Sequence, residues 1–278
     1  MITLERLARE TQLHGKRVEL IEGLITDEMT PPAAAPGPAA LINEQRHAEI
    51  IAGDRRVPRS GRIVAPTRTL TVVDQDRARD NFLRDVGDTR AARAAYERLS
   101  ERYGEGHRRY HGVAHVLSVV ETVEALDGDR ATRLAAWYHD AIYDATSATN
   151  EEDSAELAIS ELRALEVDEA VVADVARLVR MTRNHEVVAP DEAVLADADL
   201  ATLAVSADEY ARYGSHIRTE YAHVNDEDWR AGRLAFLDRF LGRERLYHTD
   251  IGQTWEAAAR ANLQRERATL IGDRSSNT

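Results

Sequence analysis

The stretch WYHDAIYD, residues 137–144, sets an adjacent histidine and aspartate, His139-Asp140, inside a run of Trp137, Tyr138, Ala141, Ile142 and Tyr143. Burying a charge beside an imidazole in such surroundings is costly unless the pair is protonated, hydrogen-bonded or bound to a metal. Upstream, RRYHGVAHV (108–116) supplies His111 and His115; downstream, LADADLATLA (195–204) supplies Asp197 and Asp199. Three separate helix-like segments therefore each offer a ligand. The chain has no cysteine, so a metal held here is held by nitrogen and oxygen alone.

The order of these residues, a histidine, then His-Asp, then a later aspartate, resembles the HD superfamily of metal-dependent phosphohydrolases. It is most similar to a bacterial subgroup of predicted HD phosphohydrolases. The motifs that carry the resemblance are His107-Arg108-Arg109-Tyr110-His111 through His115, Trp137 to Asp144, Asn150 to Ala155, Thr182 to His185, Asp197 to Leu200, and Glu220 to Val224. They cover roughly residues 79 to 278. The resemblance implies a mainly α HD-domain helical bundle, with His115, His139, Asp140 and one aspartate of the DAD segment as ligands of a divalent metal ion. Asp140 can then bridge a second ion. It also implies an enzyme: a metal-dependent hydrolase of a phosphate ester, its substrate a small nucleotide or similar phosphometabolite. Such a donor set suits Mn, Fe, Co, Ni or Zn and, with added water, Mg; the sequence does not choose among them. Two rival readings arise from the same ligands. One is a di-iron oxygenase, which needs further histidines such as His111 and His185; the other is a catalytically silent metal- or nucleotide-binding regulatory module.

The remaining candidates carry a bland reading beside a functional one. His115 opens a helix with an apolar stripe and would alone read as a helix-end or core histidine; the resemblance makes it a ligand. His111, four residues earlier, reads as a phosphate or substrate contact, a second-metal ligand or a surface residue. Arg108 and Arg109 locally invert the charge of an acidic chain, and guanidinium geometry suits phosphate oxygens. Glu151, at a helix start where acids are common for dipole reasons, can act as general base or orient a metal-bound water. His185 reads either as a helix C-terminal cap or as a catalytic residue at the site. Asp197 and Asp199 stand about 200° apart on a helix, so they cannot both point at one ion, and geometry leaves a near-tie. By resemblance the choice falls on Asp199, with Asp197 as the alternative or as a cap or supporting partner.

Before residue 79 the pattern changes. MTPPAAAPGPAA (29–40) reads as a Pro/Ala linker, and Ile63, Val64, Leu70, Val72 and Val73 among threonines read as short strands. Residues 1–78 are therefore expected to be a small α/β or irregular extension. Its stretch KRVELIEGLITDEMTPP (16–32) is similar to the opening of small nuclease-like proteins of the PD-(D/E)XK type, but the acidic and lysine residues of such a site cannot be placed in it. From 79 onward helical spacing is nearly continuous: Val113, Val116, Leu117, Val120, Val123; Ala155, Ala158, Ile159, Leu162, Leu165; Tyr210, Tyr213, Ile217, Tyr221. Ser206 with Glu209 forms a capping box. The net charge of -13 works against broad phosphate-backbone binding, so no extended nucleic-acid surface is expected. No apolar stretch spans a bilayer and MITLERLARE lacks a signal-peptide core, so a cytoplasmic, non-membrane protein is expected, with oligomerisation left open.

Overall fold

The computed structural model describes residues 72–272. Eleven α-helices run in order: α1 Val72–Val86, α2 Arg90–Tyr103, α3 Val113–Ala125, α4 Arg130–Tyr138, α5 Asn150–Ala164, α6 Glu169–Met181, α7 Pro190–Leu200, α8 Ala207–Glu220, α9 Asp226–Leu241, α10 Asp250–Gln253 and α11 Glu256–Gly272, with a 3₁₀ turn over Ala201–Ala204. The fold is mainly α, and no strand occurs among the described residues. The strand reading at Ile63, Val64 and Leu70, the linker and the C-terminal tail lie outside them. Val72 and Val73 correct that reading, because they open α1 rather than a strand. Ala78, Phe82, Leu83 and Val86, a little further along, recur at helical spacing and are all buried, and this apolar face makes the segment a helix. Position 78 falls inside it.

Helix ends are fixed by local chemistry. Asp129 accepts from the Thr132 backbone N–H at 2.8 Å and starts α4. Ser206 and Glu209 cap α8 reciprocally, as the sequence indicates. At the start of α3, Gly112 lies so close to α2 that a Cβ would stand 3.2 Å from the Tyr103 carbonyl oxygen. The glycine between His111 and Val113 thus lets the histidine-bearing turn press against α2.

Helices α1 to α7 share one apolar core, with Phe82, Leu99, Leu134, Trp137, Leu162, Leu178 and Leu195 in it. Phe82 meets Trp137 edge to face, centroids 5.9 Å apart. A second cluster joins the 3₁₀ turn, α8, α9 and α11 through Leu203, Tyr213, Leu237, Phe240 and Leu263. A third is small: Tyr143, Tyr221, Val224 and Trp229 pack beneath the loop after His139. Helix α7 belongs to the first core through Leu195, Ala196 and Ala198 and to the second through Leu200. The aspartate at position 199 therefore lies where the two cores meet.

Candidate metal centre

His115 sits in the first turn of α3, His139 caps the C-terminus of α4, and Asp199 lies in the last turn of α7. Their ligand atoms all fall within 4.8 Å of one another, and the three can hold a metal ion. Both imidazoles are buried. The Nδ1–H of His139 donates to the Ala136 carbonyl at 2.9 Å, which leaves Nε2 as the atom turned to the centre. His139 Nε2 lies 3.2 Å from His115 Nε2. Two ligands about 2.1 Å from one ion stand about 3.2 Å apart when they subtend about 100°, so the pair fits a single cation. Asp199 Oδ1 is 3.1 Å from His115 Nε2 and 3.7 Å from His139 Nε2. Asp140 Oδ2 lies 3.2 Å from His139 Nε2 and 3.5 Å from His115 Nε2, at the edge of the same group.

Electrostatics support a cation at this point. Burial alone pushes the Asp140 and Asp199 carboxyls up, but the neighbouring imidazoles outweigh it and hold both below the usual carboxylate range. Burial likewise lowers the His139 imidazole, yet the Asp140 and Asp199 charges raise it to about 9. A proton there is the cation with which a metal competes.

The two aspartates of DAD face apart, as their helical offset requires. Asp197 is fully buried, and its carboxylate accepts from the His248 backbone N–H, the Thr249 backbone N–H and the Thr249 hydroxyl at 2.7–3.0 Å. It therefore ties α7 to the start of α10 and is no ligand of the centre. Asp199 also accepts from His185 Nε2 at 2.8 Å. His185 stands just beyond α6 in the left-handed region, φ 54°, where a non-glycine residue carries about 1 kcal/mol of strain. Its backbone N–H closes on the Met181 carbonyl at 3.0 Å, so it serves as helix terminator and site residue together. Burial lowers its imidazole, which donates to Asp199 as a neutral ring.

His111 is buried beside the centre, and its Nδ1–H donates to Glu220 at 2.6 Å. Glu220 also accepts from the backbone N–H groups of Arg109, Tyr110 and His111 at 2.6–3.0 Å and from the Tyr143 hydroxyl at 3.0 Å. Burial would raise the Glu220 carboxyl, but His111 and these donors bring it down to about 2. Burial would lower His111, and Glu220 more than offsets it. In the sequence Glu220 stands within a motif but has no role of its own. Its signal is an acid in the last turn of α8, opposed by the helix dipole and so in need of a donor.

Arg108 does not face a ligand. Its buried guanidinium donates to the carbonyls of His111, Asp140 and Ala141 at 2.7–3.1 Å and to Glu105. Arg108 therefore clamps the loop that follows His139 to the His111 turn. The exposed Arg109 folds back on the carbonyls of Gly106 and Arg108. Asn150 and Ser154 pin the main chain of Asp144 and Ile142, which fixes the loop after Asp140. Glu151, between them in α5, is buried.

A cavity of about 70 Å³ opens beside the centre, and Asp140, Asp199, His111, His185 and Glu151 are among the residues that line it. Tyr110 lines it too, its ring centroid 4.8 Å from His115 and 5.7 Å from Tyr213. Neither Arg108 nor Arg109 lines the cavity. No helix among the described residues is long and apolar enough to cross a membrane. In comparisons with protein-family models, curated proteins and solved structures, nothing matches this chain.

Proposed function

We propose that the chain is a metal-dependent phosphohydrolase of the HD type, acting on a phosphate ester of a small nucleotide or similar phosphometabolite. One observation carries the reading. Two buried imidazole Nε2 atoms, 3.2 Å apart, converge with the Asp199 carboxylate, which itself lines a cavity.

A divalent cation at such a centre polarises a phosphoryl oxygen and lowers the pKa of a bound water. The protein's own residues do the rest. His139, fixed by Ala136, and His115, on α3, would hold the cation together with Asp199. Glu151, lining the same cavity as Asp199, orients the water and receives its proton. His111, with Nδ1 committed to Glu220, presents Nε2 to the cavity as proton donor. The water oxygen bonds to phosphorus, the ester P–O bond breaks, and the departing alkoxide takes that proton, giving an alcohol and inorganic phosphate.

The test is metal analysis of the purified protein together with a phosphate-release screen in Mn, Fe, Co, Ni, Zn and Mg. Bound metal and chelator-sensitive phosphate release are expected. Tight ligand binding with no release in any metal would instead establish a regulatory module.

A further inference from the structure

Besides its carboxylates and histidines the cavity has an apolar lining: Leu203, Tyr213, Ile217, Phe236 and Phe240, with Phe240 6.4 Å from the His185 ring and Tyr213 5.7 Å from the Tyr110 ring. Phe236 and Phe240 lie ring to ring, centroids 4.5 Å apart. Among the described residues that line the cavity, the single Lys or Arg is Arg233. It is buried, its guanidinium lies 4.7 Å over the Phe236 ring, and Nε and Nη2 donate to both Glu266 oxygens at 2.7 and 2.9 Å. A bidentate carboxylate leaves little of its charge for a ligand. Arg239 and Arg243 also stack on Phe240, but neither lines the cavity, and Arg243 is committed to the carbonyls of Asn184 and His185.

Three carboxylates, Asp140, Glu151 and Asp199, line the same cavity. One phosphoryl group would be matched by the metal, whereas second and third phosphates would meet carboxylates or apolar rings, with no unpaired Lys or Arg among the described lining residues to receive them, a desolvation cost without compensation. An apolar ring faces the reverse situation: aromatic and aliphatic side chains already shape the space, and its burial is favourable.

We propose that the substrate is a phosphate monoester whose alcohol carries an apolar ring, the ring packing on the Tyr213–Phe236–Phe240 wall while di- and triphosphates are rejected. This rests on the phosphohydrolase reading and deepens it. The probes are 1-naphthyl phosphate, glycerol 3-phosphate and a nucleoside triphosphate, offered to the full chain loaded with its activating metal. Naphthyl phosphate is expected to exceed glycerol phosphate about 10-fold in kcat/KM, and the triphosphate by about 100-fold. Phe236→Ala should shrink the naphthyl-to-glycerol ratio at least about fivefold, and Phe236→Leu should restore most of it. Equal rates on all three probes, a preference for the triphosphate, or a ratio unmoved by Phe236→Ala in a folded variant would overturn the proposal. Equilibrium dialysis separates the two ideas: naphthyl phosphate bound but not cleaved overturns the hydrolase and keeps the ring site, and neither binding nor cleavage overturns both.

Discussion

The candidate metal group and the apolar wall of the cavity are built on opposite plans. In and around the metal group, polar side chains are tied to fixed partners: His139 to Ala136, His185 to Asp199, His111 to Glu220, with Arg108 clamping the loop after His139 to the His111 turn. In the apolar part of the lining, rings and aliphatic side chains of the 3₁₀ turn, α8 and α9 form the wall, and Arg233, the single Lys or Arg among the described lining residues, is neutralised by Glu266. The candidate metal group is thus specified by geometry and charge and the apolar wall by shape. Substitutions at the first should act on every substrate, and substitutions at the second on some.

Point substitutions test that contrast directly. Asp199→Asn should cost at least about 100-fold in activity on every ester and release the metal, whereas Asp197→Asn should keep the metal and lose stability. Metal content and melting temperature of the two variants check this, and the reverse pattern would exchange the roles assigned to the two aspartates. Glu220→Gln should destabilise the fold by about 3 kcal/mol, because it removes the charge that holds His111, Tyr143 and three backbone donors.

The pH dependence of that pairing takes its sign from the two shifts. Glu220 is held at about 2 in the fold, so its share of stability is complete above its unfolded value near 4.5 and is lost as pH falls toward 2. His111 is shifted upward, so its share is present below about 6.5 and fades as pH rises through the folded value. Urea melts from pH 2 to 5 should show a shallower acid loss in Glu220→Gln than in the parent, and identical slopes would count against the pairing. Gly252→Ala should cost about 2 kcal/mol, since a Cβ there would stand 2.2 Å from Asp197 Oδ2; metal content should be unchanged. The smallest effect is expected at Arg109. Arg109→Ala should alter kcat/KM by less than about twofold, because exposed polar contacts contribute little, and a large rise in KM would restore it as a phosphate contact.

Much of the metal group was legible in the sequence because its residues are chemically rare in their surroundings. His139-Asp140 among aromatics and His115 on an apolar stripe announce a constraint before any fold is known. Asp199 was harder, since helical offset separates it from Asp197 without saying which faces inward; only the His248-Thr249 turn, far along the chain, claims Asp197. Distance in sequence also concealed Glu220, whose backbone partners lie 109 to 111 residues upstream. Arg108 misled for a related reason: a guanidinium suits phosphate and main-chain carbonyls alike, and only the fold shows carbonyls around it. The cavity's apolar wall was hidden by its own regularity. Tyr210, Tyr213 and Ile217 repeat at helical spacing whether they face a core or a ligand. Val72 and Val73 misled through strand propensity, which the buried face of α1 overrides.

The opposed aspartates of α7 have a mechanical consequence. Asp199 is gripped by His115 and His185 on one flank, and Asp197 by Thr249 and His248 on the other. The helix is therefore keyed on both sides, like a shaft held by two pins, and cannot roll about its axis without withdrawing one pin or the other. Inserting or deleting a single residue between Asp197 and Asp199 would turn one aspartate by about 100° relative to the other. Even where the helix survived such a change, the centre and the α10 turn could not both be satisfied.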